Sequence, residues 1–457
     1  MNLESIETDL ARIYGHGDWI LVGELAVGFG DAVELLKSWG ADRLLLVAGT
    51  RGIGDVPDDL DIHYTNARGG GTIMDGLRAF DGSLSRSDTI AVIDRFDPRR
   101  SARVLAPIFG GEDAFEGRRV YGRRRREWRA LEDKTAIDAV FRDAGVEVAA
   151  HEIVSVSNAS HAASRLGSAK GTVWVADNRQ GWHGGGEYTR WVPDSGAHEA
   201  ATSWFADRAD LVRVMPFLEG IPCSIHGYVT ADHVATFRPV EMLVARASDS
   251  TSFRYLGTAT TWDPPVEVRE EMRAAARTVG RHLARTVGYL GPFSIDGVAT
   301  TSGFRPTELN PRLSAGLGIQ ARTVDGLRLS WMTRALYEGD LEIDAVGLER
   351  AITRAADRAR VVRALVNFAE RRDPATIEVV LDAGRVRRAT SEAHGTLSIG
   401  ESSGGSVAML QLAPEHVPVG QSFGGAAISA AQLAADTWNL DLESLEPALD
   451  VTGDSVP

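Results

Sequence analysis

The stretch Thr307-Glu308-Leu309-Asn310-Pro311-Arg312 ends a short segment whose composition is typical of a β-strand. Alternate side chains of a strand share a face, so Glu308 and Asn310 point the same way. Arg312 joins them if the strand continues, while the residues between them face the opposite side. The stretch therefore predicts a carboxylate, an amide and a guanidinium next to one another.

A second strand-like segment, Phe293 to Val298, carries Asp296 twelve positions before Glu308. If the two segments pair as a hairpin, Asp296 lies beside Glu308. Two carboxylates and the Asn310 amide oxygen form the oxygen-only environment that Mg²⁺ prefers, and a divalent ion relieves the repulsion between neighbouring acids. Arg312 offers a fork of donors to a phosphate or a carboxylate. A surface hairpin with solvated acids explains these two segments equally well.

The composition is that of an ordinary globular protein. The 457 residues are 44% hydrophobic and 25% charged, which predicts several packed subdomains. The net charge of -14 argues against binding to nucleic acid. The single cysteine, Cys223, excludes an intramolecular disulfide and is expected in the core. Without an apolar run of signal-peptide or membrane-spanning length, we expect a soluble cytoplasmic protein.

Basic residues are unevenly distributed along the chain. The run Arg118 to Arg129 is strongly basic, and we interpret it as a solvated helix start rather than an anion-binding site. Of the 49 lysines and arginines only Lys37, Lys134 and Lys170 are lysines. Each lysine is therefore a candidate for a specific role.

The first part of the chain has the pattern of an α/β unit. Residues 43–48 and 89–93 are predicted strands, and residues 32–39 have the apolar spacing of a helix. The glycine-rich turn 49–54 fails the spacing of a dinucleotide-binding loop. The proline and acids of 55–59 predict a plain loop after it.

The middle of the chain alternates between helix-like and strand-like patterns. Residues 130–144 are predicted to form a helix with Lys134 in its first turn. Residues 171–176 and 188–192 are predicted strands on either side of a glycine-rich loop at 181–186.

The remaining elements are one strand pair, one long helix and a mixed C-terminal part. Residues 211–229 form a strand, a turn and a second strand, and residues 265–286 have the spacing of a helix. From residue 344 an Arg- and Ala-rich helix is followed by short strands.

Together these motifs resemble the ATP-grasp superfamily, and the stretch that ends at Arg312 is similar to the biotin-carboxylase pattern. In that pattern an acid precedes Glu-x-Asn-Pro-Arg by a dozen positions. The resemblance implies that Asp296, Glu308 and Asn310 bind Mg²⁺, with Mn²⁺ as the alternative ion. It implies that Arg312 steadies the phosphoryl group during transfer.

Three further segments match the superfamily in the same order along the chain. Glu132-Asp133-Lys134 resembles the segment that supplies a phosphate-binding lysine, 181–186 the glycine loop, and 215–220 the hinge beside adenine and ribose. The strand before the loop lacks the usual second lysine, and Arg179 is the predicted substitute. The resemblance implies catalytic roles for Lys134 and Arg312 and nucleotide binding by Lys134, Arg179, Gly184, Gly185, Gly186, Phe217, Leu218 and Glu219.

The implied fold class is α/β (α+β) with an ATP-grasp fold. The expected units are an N-terminal pre-ATP-grasp α/β domain at 1–128, an ATP-grasp domain at 129–343 with a lid at about 153–212, and a C-terminal α+β subdomain at 344–457. The stretches 237–242 and 261–265 also resemble a group of bacterial ATP-grasp proteins, which supports the fold rather than a substrate.

The implied activity is an ATP- and Mg²⁺-dependent carboxylate–amine ligase that acts on a small carboxylic acid and an amine through an acyl phosphate. The alternative is an ATP-binding regulatory or scaffold protein with a degenerate site, since the second lysine is missing. Carboxylation is disfavoured because 313–316 reads Leu-Ser-Ala-Gly instead of the residues that bind bicarbonate. Dimers are common in the superfamily, and the residues do not decide the oligomeric state.

Four other residues stay open between a ligand-binding and a structural role. His183, in the glycine loop, is placed either to contact a phosphate or to pack with Trp182. Arg238, Glu241 and Arg246 are placed either to bind substrate or nucleotide or to form surface ion pairs.

Overall fold

The computed structural model describes residues 2–56, 60–70, 72–107, 114–179, 181–247 and 251–447. The predicted loop at 55–59 lies partly outside these residues. The N-terminal region is a parallel sheet in the order β3-β2-β1-β4. Its strands are β1 (Trp19–Leu25), β2 (Leu44–Thr50), β3 (Asp61–Tyr64) and β4 (Arg103–Leu105). Its helices are α1 (Leu3–Tyr14), α2 (Gly30–Trp39), α3 (Ile73–Leu84) and α4 (Ser87–Phe96).

Helices cover both faces of this sheet, which is why β2 is buried along its whole length. Leu44 and Leu46 pack in the core that contains α1 and α2, whereas Leu45 and Val47 pack in the core that contains α3 and α4. The predicted strand at 43–48 is therefore confirmed.

The predicted strand at 89–93 is wrong, because these residues lie in α4. Thr89 and Ile93 are buried one helical turn apart, while the residues between them are more exposed. The run of β-branched side chains suggested a strand, but burial every fourth residue is the period of a helix.

The segment that carries Lys134 is also less regular than predicted. Three short elements precede it: β5 (Ala114–Phe115), β6 (Arg118–Arg119) and α5 (Arg126–Arg129). The helix α6 (Ile137–Asp143) follows it. Lys134 lies in the link between a 3₁₀ turn at Ala130–Glu132 and α6. The Asp133 side chain accepts hydrogen bonds from the Thr135 backbone N at 2.9 Å and hydroxyl at 2.7 Å, which favours a turn over a continuous helix.

A second sheet, which we call the lid sheet, has the order β7-β10-β8-β9. Its elements are β7 (Glu152–Ser155), α7 (Ala159–Leu166), β8 (Thr172–Ala176), β9 (Thr189–Val192), α8 (His198–Ala206) and β10 (Leu211–Pro216). On one face Trp174 packs with Phe205 of α8. The other face presents Val173, Val175 and Met215, which form a separate apolar cluster with Phe217.

The third sheet, which we call the central sheet, follows the antiparallel path β16-β15-β11-β13-β14-β17-β21-β20-β18-β19 within the described residues. Its first strands are β11 (Ile221–Val229), β12 (Val234–Thr236), β13 (Val240–Ala247), β14 (Phe253–Ala259), β15 (Gly291–Thr300) and β16 (Gly303–Asn310). The helices of this part are α9 (Val266–Val287), α10 (Ala315–Ala321) and α11 (Leu329–Glu338). The buried side of α9 packs against β11 and β15 in a core that contains Cys223.

The C-terminal strands extend this same sheet instead of forming a separate one. They are β17 (Val362–Phe368), β18 (Ala375–Asp382), β19 (Arg385–Arg388), β20 (Gly395–Ser402), β21 (Gly405–Leu412) and β22 (Leu445–Pro447), with α12 (Ala345–Arg358) and α13 (Gly424–Trp438). The join is β17 on β14, with Ala259 opposite Val362. Among the described residues, no helix is both long enough and apolar enough to cross a membrane.

The predicted hairpin of the two acidic strands is confirmed as β15 and β16. Asp296 lies opposite Glu308 in the ladder. The register shifts just beyond this pair, where Gly297 faces Pro306, because proline has no backbone N–H to donate to the ladder. The glycine is required there, since a Cβ on Gly297 would lie 2.3 Å from the Arg305 carbonyl oxygen.

Candidate functional site

A cavity of about 450 Å³ lies between the lid sheet and the central sheet. Its walls come from α3, the Lys134 segment, the glycine loop, both sheets and the residues after β16. One end is apolar, with Val173, Val175, Met215 and Phe217. The other end contains the hairpin acids. An elongated ligand with an apolar end and a charged end would match these walls.

The acid pair is held at the charged end by the hairpin register. Asp296 is half-buried. Loss of surrounding water raises its pKa to about 6, with the charge of Glu308 acting in the same direction. A hydrogen bond from Ser224 and the charges of Arg312 and Lys134 lower this pKa. The pair therefore carries unfavourable negative charge that a cation would stabilise.

Asn310 connects the acids to Arg312. Its Nδ2 donates to Asp296 Oδ2 at 2.9 Å, and its Oδ1 accepts from Arg312 Nη2 at 2.8 Å. Within the described residues, no three His, Cys, Asp or Glu side chains converge on a metal position. The Asn310 amide oxygen, which accepts from Arg312, is a candidate third donor beside the two acids. Two carboxylates and one amide fit a hard ion such as Mg²⁺, which keeps water and phosphate as its other ligands.

Lys134 reaches the same end of the cavity from the opposite wall. Its Nζ lies 3.1 Å from Glu308 Oε2, and its side chain is 7% exposed. Lys134, Arg312 and the acids thus form one charged cluster. The buried Lys134 ammonium is the group of this cluster that would attract a phosphate, while the half-buried Glu308 carboxylate balances its charge in the absence of one.

Glu132 is a functional candidate that the sequence analysis missed. It is 5% exposed and contacts three side chains. Its Oε1 accepts from Arg124 and lies 3.3 Å from Arg312 Nε, and its Oε2 accepts from Trp182 Nε1. Burial alone would raise the pKa of Glu132, but Arg312, Arg124 and Trp182 together lower it, so the group is a carboxylate.

The prediction of a solvated basic run is wrong for two of its arginines. Arg118 is fully buried and donates to Asp97 and Asp94 at 2.9 Å each. Arg124 is 2% exposed and contacts Glu132. Their acidic partners are on other elements, so the local composition of the run could not reveal them.

The glycine loop, residues 181–187, is closed over the cavity by side chains at both of its ends. Near its start, Trp182 binds Glu132, while Gly184, Gly185 and Gly186 line the cavity. Gly185 and Gly186 have φ of +60° and +79°, a left-handed conformation that favours glycine. These three glycines therefore lie where the resemblance places them.

At the other end of the loop, Glu187 accepts two hydrogen bonds from Arg78 of α3, at 2.7 and 2.6 Å. Met74 and Leu77 of the same helix line the cavity. Thr72 begins this helix by accepting from the Asp75 backbone N at 3.0 Å. The N-terminal domain therefore forms part of the cavity wall and contacts the loop directly.

His183 has a structural position in the loop. Its Nε2 lies 3.2 Å from the Ala176 carbonyl oxygen and 3.1 Å from that of Asp177, and its ring packs on Tyr188, not on Trp182. Burial and, to a lesser extent, the charge of Lys134 lower the pKa of His183 to about 4. The neutral ring donates from Nε2 and fastens the loop to the end of β8.

The predicted hinge residues are divided between the cavity and the surface. Phe217 and Leu218 line the apolar end. The Phe217 backbone N donates to the Gly171 carbonyl at 3.0 Å, which joins the hinge to the lid sheet. Glu219 is exposed, 3.9 Å from Lys170, and is not a lining residue.

Arg179 is not brought to the cavity, contrary to its predicted place. It is 57% exposed, and it lies 3.5 Å from both Asp177 and Asp210 on the outer side of the lid sheet. The basic side chain that does line the cavity from this sheet is Arg213, which forms two hydrogen bonds with Asp138 at 2.6 and 2.7 Å.

Three polar residues near β13 have structural partners instead of facing the cavity. Arg238 pairs with Asp263 and Asp357, and Arg246 lies 2.8 Å from Glu446. Glu241 accepts from Ser422 Oγ at 2.6 Å and from the Phe423 and Gly424 backbone N at 2.8 and 3.2 Å, at the start of α13.

No protein-family model and no curated protein sequence matches the chain. Solved structures do match it over nearly its full length. The biotin carboxylase of Campylobacter jejuni, in a β-γ-ATP complex, is 14% identical with a TM-score of 0.54 over 93% of this chain and 92% of that one. The biotin carboxylase domain of the Hydrogenobacter thermophilus 2-oxoglutarate carboxylase, with MgADP, ADP and bicarbonate, is 15% identical with a TM-score of 0.53 over 93% and 91%.

A third match is the phosphoribosylamine–glycine ligase of Thermotoga maritima, 13% identical with a TM-score of 0.51 over 94% of this chain and 98% of that one. The three proteins share the ATP-grasp fold. Identities of this size establish the architecture, so the chain has an ATP-grasp fold of mixed helices and sheets, as predicted.

Proposed function

We propose that this protein is an ATP- and Mg²⁺-dependent ligase that joins a small carboxylic acid to an amine through an acyl phosphate, releasing ADP and phosphate. The observation that carries the proposal is the charged cluster at one end of an otherwise apolar cavity. Asp296, Glu308, Asn310, Arg312 and Lys134 meet there within hydrogen-bonding distances. The similar solved structures that contain MgADP or β-γ-ATP support a nucleotide in such a cavity.

The adenine is proposed to lie at the apolar end. Val173, Val175 and Met215 of the lid sheet form an apolar surface there with Phe217, and a flat ring gains by leaving water for such a surface. The hinge backbone at Leu218 offers the polar groups that the adenine edge requires. The phosphates would then extend towards Lys134 and beneath Gly184, Gly185 and Gly186.

Asp296, Glu308 and Asn310 are the residues that would hold the metal ion. When bound, Mg²⁺ would neutralise charge on the β- and γ-phosphate oxygens. Lys134 and Arg312 act on the same oxygens from two sides. Because transfer of a phosphoryl group depends mainly on positioning and on charge neutralisation, these groups account for most of the required catalysis.

The proposed reaction has two steps, and each forms one bond and breaks another. A carboxylate oxygen attacks the γ-phosphorus, the bond to the ADP oxygen breaks, and an acyl phosphate forms. The amine then attacks the acyl carbon, loses a proton, and expels phosphate. The closed glycine loop excludes the water that would hydrolyse the acyl phosphate.

The test is a screen for ADP release over pairs of carboxylic acids and amines with Mg²⁺, or with Mn²⁺ as the alternative ion. We expect release that depends on both substrates and on the ion, and that disappears in Glu308→Ala. Release of AMP and pyrophosphate would overturn the acyl-phosphate mechanism. Release that depends on bicarbonate instead of an amine would indicate carboxylation. Cytoplasmic location remains a prediction, as does the oligomeric state.

The second candidate function is an ATP-binding regulatory or scaffold protein. The position of Arg179 outside the cavity favours it, because the lid sheet then lacks a cation at the place of the usual second lysine. Saturable ATP binding without turnover over a broad panel of acids and amines would support this function and contradict the ligase proposal.

A further inference from the structure

Glu132 lies beside the cavity and joins three separate parts of the chain. Its carboxylate contacts Arg124 of the basic run, Trp182 of the glycine loop and Arg312 after β16. All of these partners are distant from one another in the chain. The three donors restrain the position of this buried carboxylate, since leaving any of these groups unpaired in the interior is unfavourable.

The first function of this contact concerns Arg312. Arg124 donates to the Pro311 carbonyl oxygen at 3.2 Å as well as to Glu132. Glu132 in turn lies 3.3 Å from Arg312 Nε, while Arg312 Nη2 donates to Asn310. The backbone before Arg312 and the guanidinium itself are therefore held from the same side.

The second function concerns the glycine loop. The Trp182 side chain lines the cavity, and a Cβ on Gly184 would lie 3.4 Å from the Trp182 ring. The ring therefore packs against the part of the loop that covers the cavity. Its hydrogen bond to Glu132 joins the loop to the segment that carries Lys134, and a loop that moved away from that segment would lose this bond.

We propose that Glu132 is a positioning residue that links closure of the glycine loop to the orientation of Arg312. The inference rests on the proposed function, which gives Arg312 its role on the transferring phosphoryl group. When the loop closes, Trp182 completes the coordination of the Glu132 carboxylate. The carboxylate then holds Arg312 in the direction of the cavity. When the loop opens, the Glu132 carboxylate loses the Trp182 donor and holds Arg312 less firmly.

The experiment is a double-mutant cycle between Glu132→Gln and Trp182→Phe, with kcat and KM for ATP as readouts. The glutamine still accepts from Trp182 but carries no charge for Arg312, so kcat falls by roughly 10²-fold while KM changes little. The phenylalanine removes one hydrogen bond, so kcat falls by roughly tenfold and KM rises. The double variant is expected to resemble Glu132→Gln alone, since linked groups give less than the product of their effects.

Two results would overturn the proposal. One is a pair of effects on kcat that multiply in the double variant, because independent residues behave in that way. The other is a normal kcat in Glu132→Gln together with a lower melting temperature, which would show that the role of Glu132 is structural only. The matched control is Glu338→Gln, a glutamate that binds Arg119 and the Gly122 backbone N away from the cavity. It is expected to lower the melting temperature without changing kcat.

A second readout separates this inference from the ligase proposal. Amide hydrogen exchange in residues 181–187 without nucleotide reports loop closure directly. Exchange is expected to be faster in Trp182→Phe and unchanged in Glu132→Gln. If no substrate pair gives turnover but this exchange pattern holds, the ligase proposal fails and the contact between loop and Glu132 stands. If Trp182→Phe exchanges at the wild-type rate, the link fails whatever the activity, and this variant removes no charge that could prevent folding.

Discussion

The acidic hairpin and the glycine loop meet at the same cavity but are held by different forces. In the hairpin, Asp296 and Glu308 face each other through a backbone ladder between adjacent strands. In the loop, Trp182 and Glu187 depend on side chains that are 50 and 109 residues away in the chain. The hairpin is therefore held by backbone pairing between adjacent strands, and the loop by a few side-chain contacts that single substitutions can remove.

This difference separates the chemistry of the cavity from its closure. Substitutions in the hairpin should change what happens to a bound ligand while leaving the fold intact. Substitutions at the loop contacts should change how readily the cavity opens. The following expectations test that division, beginning with the largest effect.

Asp296→Asn should remove most of the activity without destabilising the protein. The change keeps the shape of the side chain but removes a charge from the metal cluster, so ADP release should fall by roughly 10²- to 10³-fold. Since burial and the charge of Glu308 raise the pKa of Asp296, a neutral amide should leave the melting temperature at pH 7.5 unchanged or higher. Exposed Asp373→Asn is the control. A large loss of melting temperature would show that the hairpin is held by this side chain and not by its ladder.

The loop should be the more acid-sensitive region, through His183. Its pKa is lowered from 6.5 to about 4 in the folded protein. Its contribution to stability is therefore complete above pH 6.5 and is lost as pH falls towards 4, up to about 3 kcal/mol. His183→Asn lacks this titration, so the difference in unfolding free energy between wild type and variant should shrink over that range. Exposed His161→Asn should show no such trend, and a constant difference for His183→Asn would contradict the assignment.

Gly186→Ala should weaken ATP binding through backbone strain. The residue has φ of +79°, and a side chain in that conformation costs about 1–2 kcal/mol. If the loop changes conformation to avoid this cost, KM for ATP should rise by roughly tenfold. Gly339→Ala, at φ +78° after α11 and away from the cavity, is the matched control and should affect melting temperature only.

Arg78→Ala should have the smallest effect. The Arg78–Glu187 pair is partly exposed, and such pairs contribute about 0.2–1 kcal/mol. Hydrogen exchange in the loop should become a few-fold faster at low salt, and less so at high salt. Arg165→Ala breaks a similar pair with Glu152 on the lid surface and should leave the loop unchanged. Equal exchange in the two variants would show that α3 does not help to close the loop.

The same division explains how much the sequence could predict. The hairpin was predictable because alternation and a separation of twelve residues determine which side chains are neighbours. The long helix α9 and the strand β8 were predictable for the same reason, since their patterns are local. Burial of Cys223 followed from its apolar strand.

What the sequence could not predict depended on contacts between different elements of the fold. Arg124 and Glu132 form a buried pair although each lies in a polar segment. Arg179 was placed at the phosphates by position alone, but Asp177 and Asp210 hold it outside. In α4 a β-branched run concealed a helical period. In each case tertiary contacts overrode the local pattern.

The continuity of the central sheet has a consequence for how the chain can be divided. A protein shortened after residue 343 would lose β17, which covers the edge of β14 at Gly257, Thr258 and Ala259. β14 also supplies Tyr255 and Thr258 to the cavity wall. The N–H and C=O groups on the exposed edge of β14 would then be free to pair with strands of other chains, which is the usual origin of aggregation at sheet edges. β17 thus protects the edge of a strand that lines the cavity, so the chain should not be cut at the boundary predicted at residue 343.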